Sequence, residues 1–404
     1  MTEREAISYI ESQGWSATRL GLERTRELLA ALGNPQKKLK FVHVAGSNGK
    51  GSTCAMLEAI LRAAGYRTGL YISPYIQEFC ERMQVNGQNI PGGALAEITE
   101  QVKAIADAME DHPSQFELVT AIAMVWFLRE QCDIVVLEVG MGGALDSTNV
   151  IDAPEVAVIT NIGLEHTEYL GNTLAEIAAT KAGIIKPGCD AVLYGQSREV
   201  EEVVERACRE RGVPLSVARP KELKYHIALL GDYQVRNAAV ALETVERLRR
   251  RGWAIPEGAV VQGLEQARWP GRMELARRKP DVILDGAHNP QCMEALTQSL
   301  RRMYPGKRLI FVTGVLADKD YPAMMGELLP LAKEFFTLTP DSPRALPAGE
   351  LAEYLGTRGA KAAPCGSVRE GLEQALAAAG AKGAVCVCGS LYMIGEARRQ
   401  LGLC

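Results

Sequence analysis

The sequence predicts an α/β protein in two domains, each built on a parallel-rich sheet. Three observations carry this. Short, nearly continuous apolar runs recur along the chain, helix-spaced segments separate them, and several runs end in turns of small residues. Continuous apolar strands suit a sheet covered on both faces, and alternation with helices makes those strands parallel.

Phe41–Ala45, Ile134–Leu137 and Val156–Ile159 are the strand candidates of the first domain. Thr53–Ala64 and Val119–Glu130 have helical spacing. The pattern restarts late. Val282–Leu284 runs into Asp285-Gly286, Leu309–Val312 into Thr313-Gly314, and Ala384–Val387 into Cys388-Gly389-Ser390. Such junctions mark the carboxyl edge of a doubly wound sheet, where ligands bind. The polar run Arg277-Arg278-Lys279-Pro280 reads as a linker and sets the boundary near Met273 to Asp281. The expected domains are therefore 1–275 and 281–404.

A chain of 404 residues fits two or three domains. The formal net charge is -4 and no basic block stands out, which argues against a nucleic-acid groove. The N-terminal stretch lacks the apolar core of a signal peptide, and no apolar run is long enough to span a bilayer. The expectation is a cytoplasmic protein with neither a nucleic-acid nor a membrane partner. The ten cysteines are scattered without a C-x-x-C pair and read as free thiols. Cys386 and Cys388 alternate on one strand face, as small buried residues do.

The strongest motif is Gly46-Ser47-Asn48-Gly49-Lys50-Gly51-Ser52, between a strand and a helix. Glycines let backbone N–H groups face phosphate oxygens, the helix N-terminus adds its dipole, and Lys50 would bridge the terminal phosphates. Gly51 intervenes where Ser or Thr usually follows the lysine. The expected ligand of this loop is a nucleotide.

This loop resembles that of the folylpolyglutamate synthase and dihydrofolate synthase family of the Mur ligase superfamily. Further matches run in order: Ser73-Pro74, Glu81-Arg82, Asn86-Gly87, the Leu137–Gly143 and Leu145–Asn149 segments, and Gly163–Thr167. Lys181–Lys186, Gln234 with Asn237-Ala238, Pro270–Arg272, Leu284–Pro290 and Asp318–Asp320 complete the series. The resemblance implies a Mur-ligase-type central domain with a phosphate loop and a smaller Rossmann-like C-terminal domain that binds glutamate. It also implies a monomer that uses ATP and Mg2+ to join L-glutamate to dihydropteroate or reduced folates through an acyl phosphate.

Residue roles follow from the same resemblance. Ser73, Glu138 and His166 become magnesium ligands, although histidine is an unusual partner for so hard a cation. Glu138 otherwise reads as a strand-end cap and His166 as a hydrogen-bonded turn residue. Lys181 matches a lysine that is carbamylated in the superfamily and could then hold a second ion; unmodified, it would contact phosphate. Asn237 and Arg272 become nucleotide contacts from the first domain, with Arg272 also reaching the γ-phosphate. Asp285 contacts the nucleotide, and His288 lies near glutamate. Asp146 and Ser147 match pterin-binding positions, with capping as the plain alternative. Lys50, Lys181, His166 and Arg272 form the expected catalytic set. His43, on the first strand, reads as a packed, hydrogen-bonded residue.

Three positions depart from the family pattern. Tyr75 replaces a histidine, Ala144 an arginine, and Asp232-Tyr233 a pair of histidines. Losing the arginine removes a cation and up to five donors, which touches acceptor specificity before ligase chemistry. The competing functions are another Mur-type amide ligase, a small-molecule kinase or ATPase, and a nucleotide-binding protein without catalysis. Gly51-Ser52 in place of Thr-Thr argues against the first, as do the roughly forty residues before the loop, too few for another domain.

Overall fold

The computed structural model describes residues 1–14, 21–220 and 224–403. The chain forms two compact units, Met1–Ala228 with Arg236–Ala267 and Leu229–Val235 with Arg268–Cys404.

The first unit is built on eight strands. They are β1 (Phe41–Ala45), β2 (Thr68–Tyr71), β3 (Met83–Val85), β4 (Gln88–Asn89), β5 (Ile134–Glu138), β6 (Val156–Ile159), β7 (Asp190–Tyr194) and β8 (Leu215–Ala218). Their order is β4-β3-β2-β5-β1-β6-β7-β8. All pairs are parallel except β2–β3 and β3–β4. β1 lies between β5 and β6, so the chain leaves β1 toward one side and later crosses to the other. That reversal opens a crevice beyond the carboxyl ends of β1, β5 and β6.

Burial explains these elements. All five residues of β1 are buried, His43 among them, and so are all five of β5. The helix Lys50–Ala63 follows β1 and buries every residue from Ser52 to Leu61. A helix apolar all round needs cover on all sides. One neighbour is Glu257–Gln266, where a Cβ on Gly263 would lie 2.5 Å from Ile60 Cα. The helix Gln115–Arg129 starts at a capping box between Ser114 and Glu117, which satisfies two first-turn donors.

The second unit carries six strands, ordered β13-β12-β11-β14-β10-β9. These are β9 (Glu274–Arg277), β10 (Asp281–Leu284), β11 (Leu309–Thr313), β12 (Ala332–Thr337), β13 (Ala362–Pro364) and β14 (Ala384–Cys388). Only β9 runs antiparallel. Phe311 and Phe335 stack at 5.5 Å in its core, which also holds Cys386 and Cys388 on one face of β14.

The observed division differs from the expected boundary at Met273 to Asp281. The change of unit falls between Ala267 and Arg268, and Leu229–Val235 belongs with the second unit. Arg277-Arg278-Lys279-Pro280 is the tight connection between antiparallel β9 and β10, not a linker. An exposed hairpin turn and an interdomain linker are both polar, so composition does not separate them. No helix among the described residues is long and apolar enough to cross a membrane. The nine described cysteines are free thiols.

Candidate active site

The phosphate loop leaves β1 at Gly46 and enters the helix at Lys50. Gly46 has φ +154° and Gly49 +87°, backbone angles that L side chains rarely adopt. Space excludes a side chain as well. A Cβ on Gly46 would lie 1.8 Å from Thr160 Oγ1, and one on Gly49 2.5 Å from Asn237 Oδ1. Asn237, buried in the helix Asp232–Arg250, is therefore seated against the loop.

The segment after β6 braces the loop from the other side. Asn161 O accepts from Ser47 N at 2.7 Å and Asn48 N at 3.2 Å, and Ser47 Oγ donates to Gly163 O at 2.9 Å. The amides of Ser47 and Asn48 thus serve loop shape. An anion is left with the helix start, where Lys50 and Gly51 N–H groups have no intrahelical acceptor. Ser52 is buried in that first turn.

Two lysines meet on one carbonyl. Lys50 Nζ donates to Gly46 O at 2.9 Å and Ser47 O at 3.3 Å. Lys181 Nζ donates to the same Gly46 O at 2.9 Å and to Glu165 Oε1 at 2.9 Å. Lys181 is 1% exposed. Burial pulls its pKa down to about 8, against the opposing pull of Glu165. Burial alone would raise Glu165, but the Lys50 and Lys181 cations outweigh it and hold that carboxyl at about 2. Glu165, the ion-pair partner of Lys181, is a residue to which sequence reasoning gives no role. Its signal was its place beside His166 in the Gly163–Thr167 match.

Glu138 ends β5 and is buried, accepting from Ser73 N at 3.2 Å. The structure thus joins two of the three expected metal ligands. His166 is exposed, has φ +46° and caps the short helix Thr167–Leu170. Among the described residues no group of three His, Cys, Asp or Glu side chains is arranged to hold a metal. A carboxylate and a hydroxyl oxygen nevertheless suit magnesium, which takes most remaining ligands from phosphate and water.

Asp146 serves as a cap. It accepts from Met141 N and Thr148 N and starts the turn Ser147–Val150, in which Ser147 is buried. Burial raises its pKa despite these bonds. Thr148 Oγ1 also bonds to His43 Nε2 at 2.9 Å, and burial lowers that histidine to about 3. His43 is the packed, bonded residue expected. Ala144 N donates to Thr180 O at 3.0 Å, which ties this loop to the helix carrying Lys181.

In the second unit, Asp285 follows β10 and is buried. Its Oδ2 accepts from Met273 N at 2.8 Å and Tyr233 Oη at 3.0 Å, and its Oδ1 from Ala287 N at 2.8 Å. Burial raises its pKa, partly offset by Arg272. A Cβ on Gly286 would lie 2.4 Å from Arg272 Nη1, so this guanidinium sits over the same turn. His288 Nδ1 pairs with Gly286 O at 2.8 Å. Arg272 therefore belongs with Asp285 and His288 in the second unit, a correction to the expected first-domain placement. Tyr233, noted only as a departure, supplies a hydrogen bond to Asp285. Tyr233→Phe removes that donor and is expected to cost about 1–3 kcal/mol of stability in urea denaturation. Unchanged stability would contradict the bond.

Residues 44–188 match the Mur ligase middle domain, and residues 271–391 match the Mur ligase, glutamate ligase domain. The chain is 34% identical to the dihydrofolate synthase/folylpolyglutamate synthase of Bacillus subtilis strain 168, over 98% of this chain and 99% of that protein. Among solved structures it resembles Escherichia coli FolC in complex with DHPP and ADP, with TM-score 0.90, 32% identity and coverage of 100% and 98%. It equally resembles Mycobacterium tuberculosis folylpolyglutamate synthase complexed with ADP and AMPPCP, with TM-score 0.90, 30% identity and 99% coverage of each chain.

Proposed function

The chain belongs to the folylpolyglutamate synthase/dihydrofolate synthase family of Mur ligases, and from that premise we propose that it joins L-glutamate to a folate-type carboxylate at the expense of ATP. The observation that carries the reading is the meeting of Lys50 and Lys181 on Gly46 O, at the carboxyl edge of the sheet. The Lys50 ammonium and a helix N-terminus at one turn suit a polyphosphate, and Lys181 reaches the same carbonyl from the neighbouring helix.

A carboxylate is a poor electrophile. In the proposed reaction one of its oxygens attacks the γ-phosphorus, ADP leaves and an acyl phosphate forms. The glutamate amine then attacks the acyl carbon, the bond to phosphate breaks, and the amine gives up a proton. Such transfer depends on positioning and charge neutralisation. Lys50 holds the terminal phosphates, and Asn237 fixes the loop and contacts the nucleotide. Magnesium, when bound, neutralises charge on the phosphate oxygens. Glu138 and Ser73 would hold it, with His166 as the third ligand.

Lys181 is the proposed site of carbamylation. Its neutral amine attacks carbon dioxide, a proton leaves, and an anionic oxygen pair replaces the cation. With a pKa of about 8, roughly a tenth of the amine is neutral at pH 7, far more than for an exposed lysine. Beside Glu165, the modified lysine would offer a second magnesium ion an oxygen-rich donor set. In the second unit the reading assigns Arg272 and Asp285 to the nucleotide and His288 to glutamate. Asp146 shapes the acceptor loop, and Ser147 lies on it. The enzyme is proposed to work as a monomer in the cytoplasm.

The test supplies ATP, magnesium and glutamate with dihydropteroate, or with tetrahydrofolate and its glutamylated forms. The expected product is heavier than the acceptor by one glutamyl residue, and ADP release needs both acceptor and glutamate. A kinase would release ADP without glutamate. Ala144→Arg restores a cation to the acceptor loop and is expected to shift the ratio of KM values for dihydropteroate and tetrahydrofolate by about tenfold or more. An unchanged ratio removes Ala144 from the account of specificity.

A further inference from the structure

Arg82 is a buried cation with no counter-ion among the described residues. It is 3% exposed at the end of the short helix Phe79–Arg82. Among the described residues its guanidinium has one hydrogen bond, from Nη2 to Ser73 Oγ at 3.3 Å, and no carboxylate partner, while Nε is buried without any partner. The neighbouring carboxylate is engaged elsewhere. Glu81 accepts from Ile76 N at 2.7 Å, Gln77 N at 3.1 Å and Glu78 N at 3.1 Å. Two rings flank the guanidinium, Phe79 at 5.6 Å and Phe116 at 5.8 Å from their centroids. A buried charge left this way is costly unless an anion completes it.

The surroundings indicate which anion. Ser73, bonded to Arg82 through Oγ, is bonded through N to Glu138. Phe116 also abuts the acceptor loop, since a Cβ on Gly140 would lie 2.5 Å from Phe116 Cζ. The terminal phosphates already have Lys50 and the helix N-terminus. We propose that Arg82 binds the reacting carboxylate of the acceptor, orienting its oxygens through the planar guanidinium fork. This rests on the ligase reading above. An arginine is suited to the task because its donors match a carboxylate in pairs, which a lysine cannot do. The aromatic faces and Ser73 fix the plane of the guanidinium before the substrate arrives.

Arg82→Lys and Arg82→Gln are the test, with KM measured for acceptor, glutamate and ATP, ADP affinity by titration, and melting temperature. In both variants the acceptor KM is expected to rise about 10–100-fold, as for loss of a charge-assisted hydrogen-bonded pair, while ADP affinity stays within about twofold. Three results would each overturn the proposal. One is a lowered melting temperature with an unchanged acceptor KM, which marks a purely structural arginine. Another is a rise confined to the KM for glutamate or ATP. The third needs no variant: a crystal of the wild-type enzyme with acceptor in which no carboxylate oxygen approaches the guanidinium. A wild-type chain that ligates no folate-type acceptor fails differently, since it removes the functional reading itself and this inference with it.

Discussion

Lys50→Ala is expected to lower turnover by at least about 100-fold, the scale seen when one preorganised donor is removed from developing charge. The side chain lies back along its own loop, with Nζ on Gly46 O and Ser47 O. Those two bonds hold the ammonium where terminal phosphates would meet the helix N-terminus. The substitution leaves the glycine geometry and the brace from Asn161 intact, so the variant should fold. Steady-state ADP release with saturating acceptor and glutamate checks it, beside a melting curve. Near-normal turnover in a folded Lys50→Ala protein would remove the loop from the chemistry.

Lys181→Ala should show two separable losses. Its removal leaves Glu165, whose side chain is 17% exposed, without its ion-pair partner. Breaking a buried pair on one side costs about 3–5 kcal/mol. Turnover falls as well, because the carbamate proposed to replace this cation in the active enzyme can no longer form. Adding Glu165→Ala to Lys181→Ala removes the stranded carboxylate and should recover much of the stability, but none of the turnover. Urea denaturation and single-turnover ADP release distinguish the two. Normal activity in Lys181→Ala would dispose of the carbamate. Activity of the wild type should also fall on carbon dioxide depletion and return with bicarbonate, more readily above pH 8 than below it, because only the neutral amine reacts.

Much of this was legible in the chain because burial is written in apolar runs. β1, β5, β6, β10, β11 and β14 are short strands whose residues are almost all buried, and each appeared as an apolar run. β9 did not. Its Glu274-Leu275-Ala276-Arg277 is a half-exposed antiparallel edge, and edges tolerate charge. The phosphate loop was legible because its glycines answer a local need, which Thr160 and Asn237 then enforce by contact. Long-range partners were not. Glu165 meets Lys181 across sixteen positions and Tyr233 meets Asp285 across fifty-two, separations that no local pattern encodes. Asp232-Tyr233 read as a loss of the family's histidines, yet the tyrosine hydroxyl supplies a donor to a buried carboxylate. Arg82 lies within a matched motif, and its sequence context gives it no role. Its lack of a counter-ion among the described residues shows only once the fold buries it.

The central claim is that ATP activates the acceptor carboxylate before the amine of glutamate arrives. Acceptor labelled with oxygen-18 in its carboxylate tests this most directly. In the proposed sequence one carboxylate oxygen becomes the bridge of the acyl phosphate and departs with it. The inorganic phosphate should then carry one labelled oxygen for each amide formed. Phosphate without label, released alongside the amide product, would contradict the account.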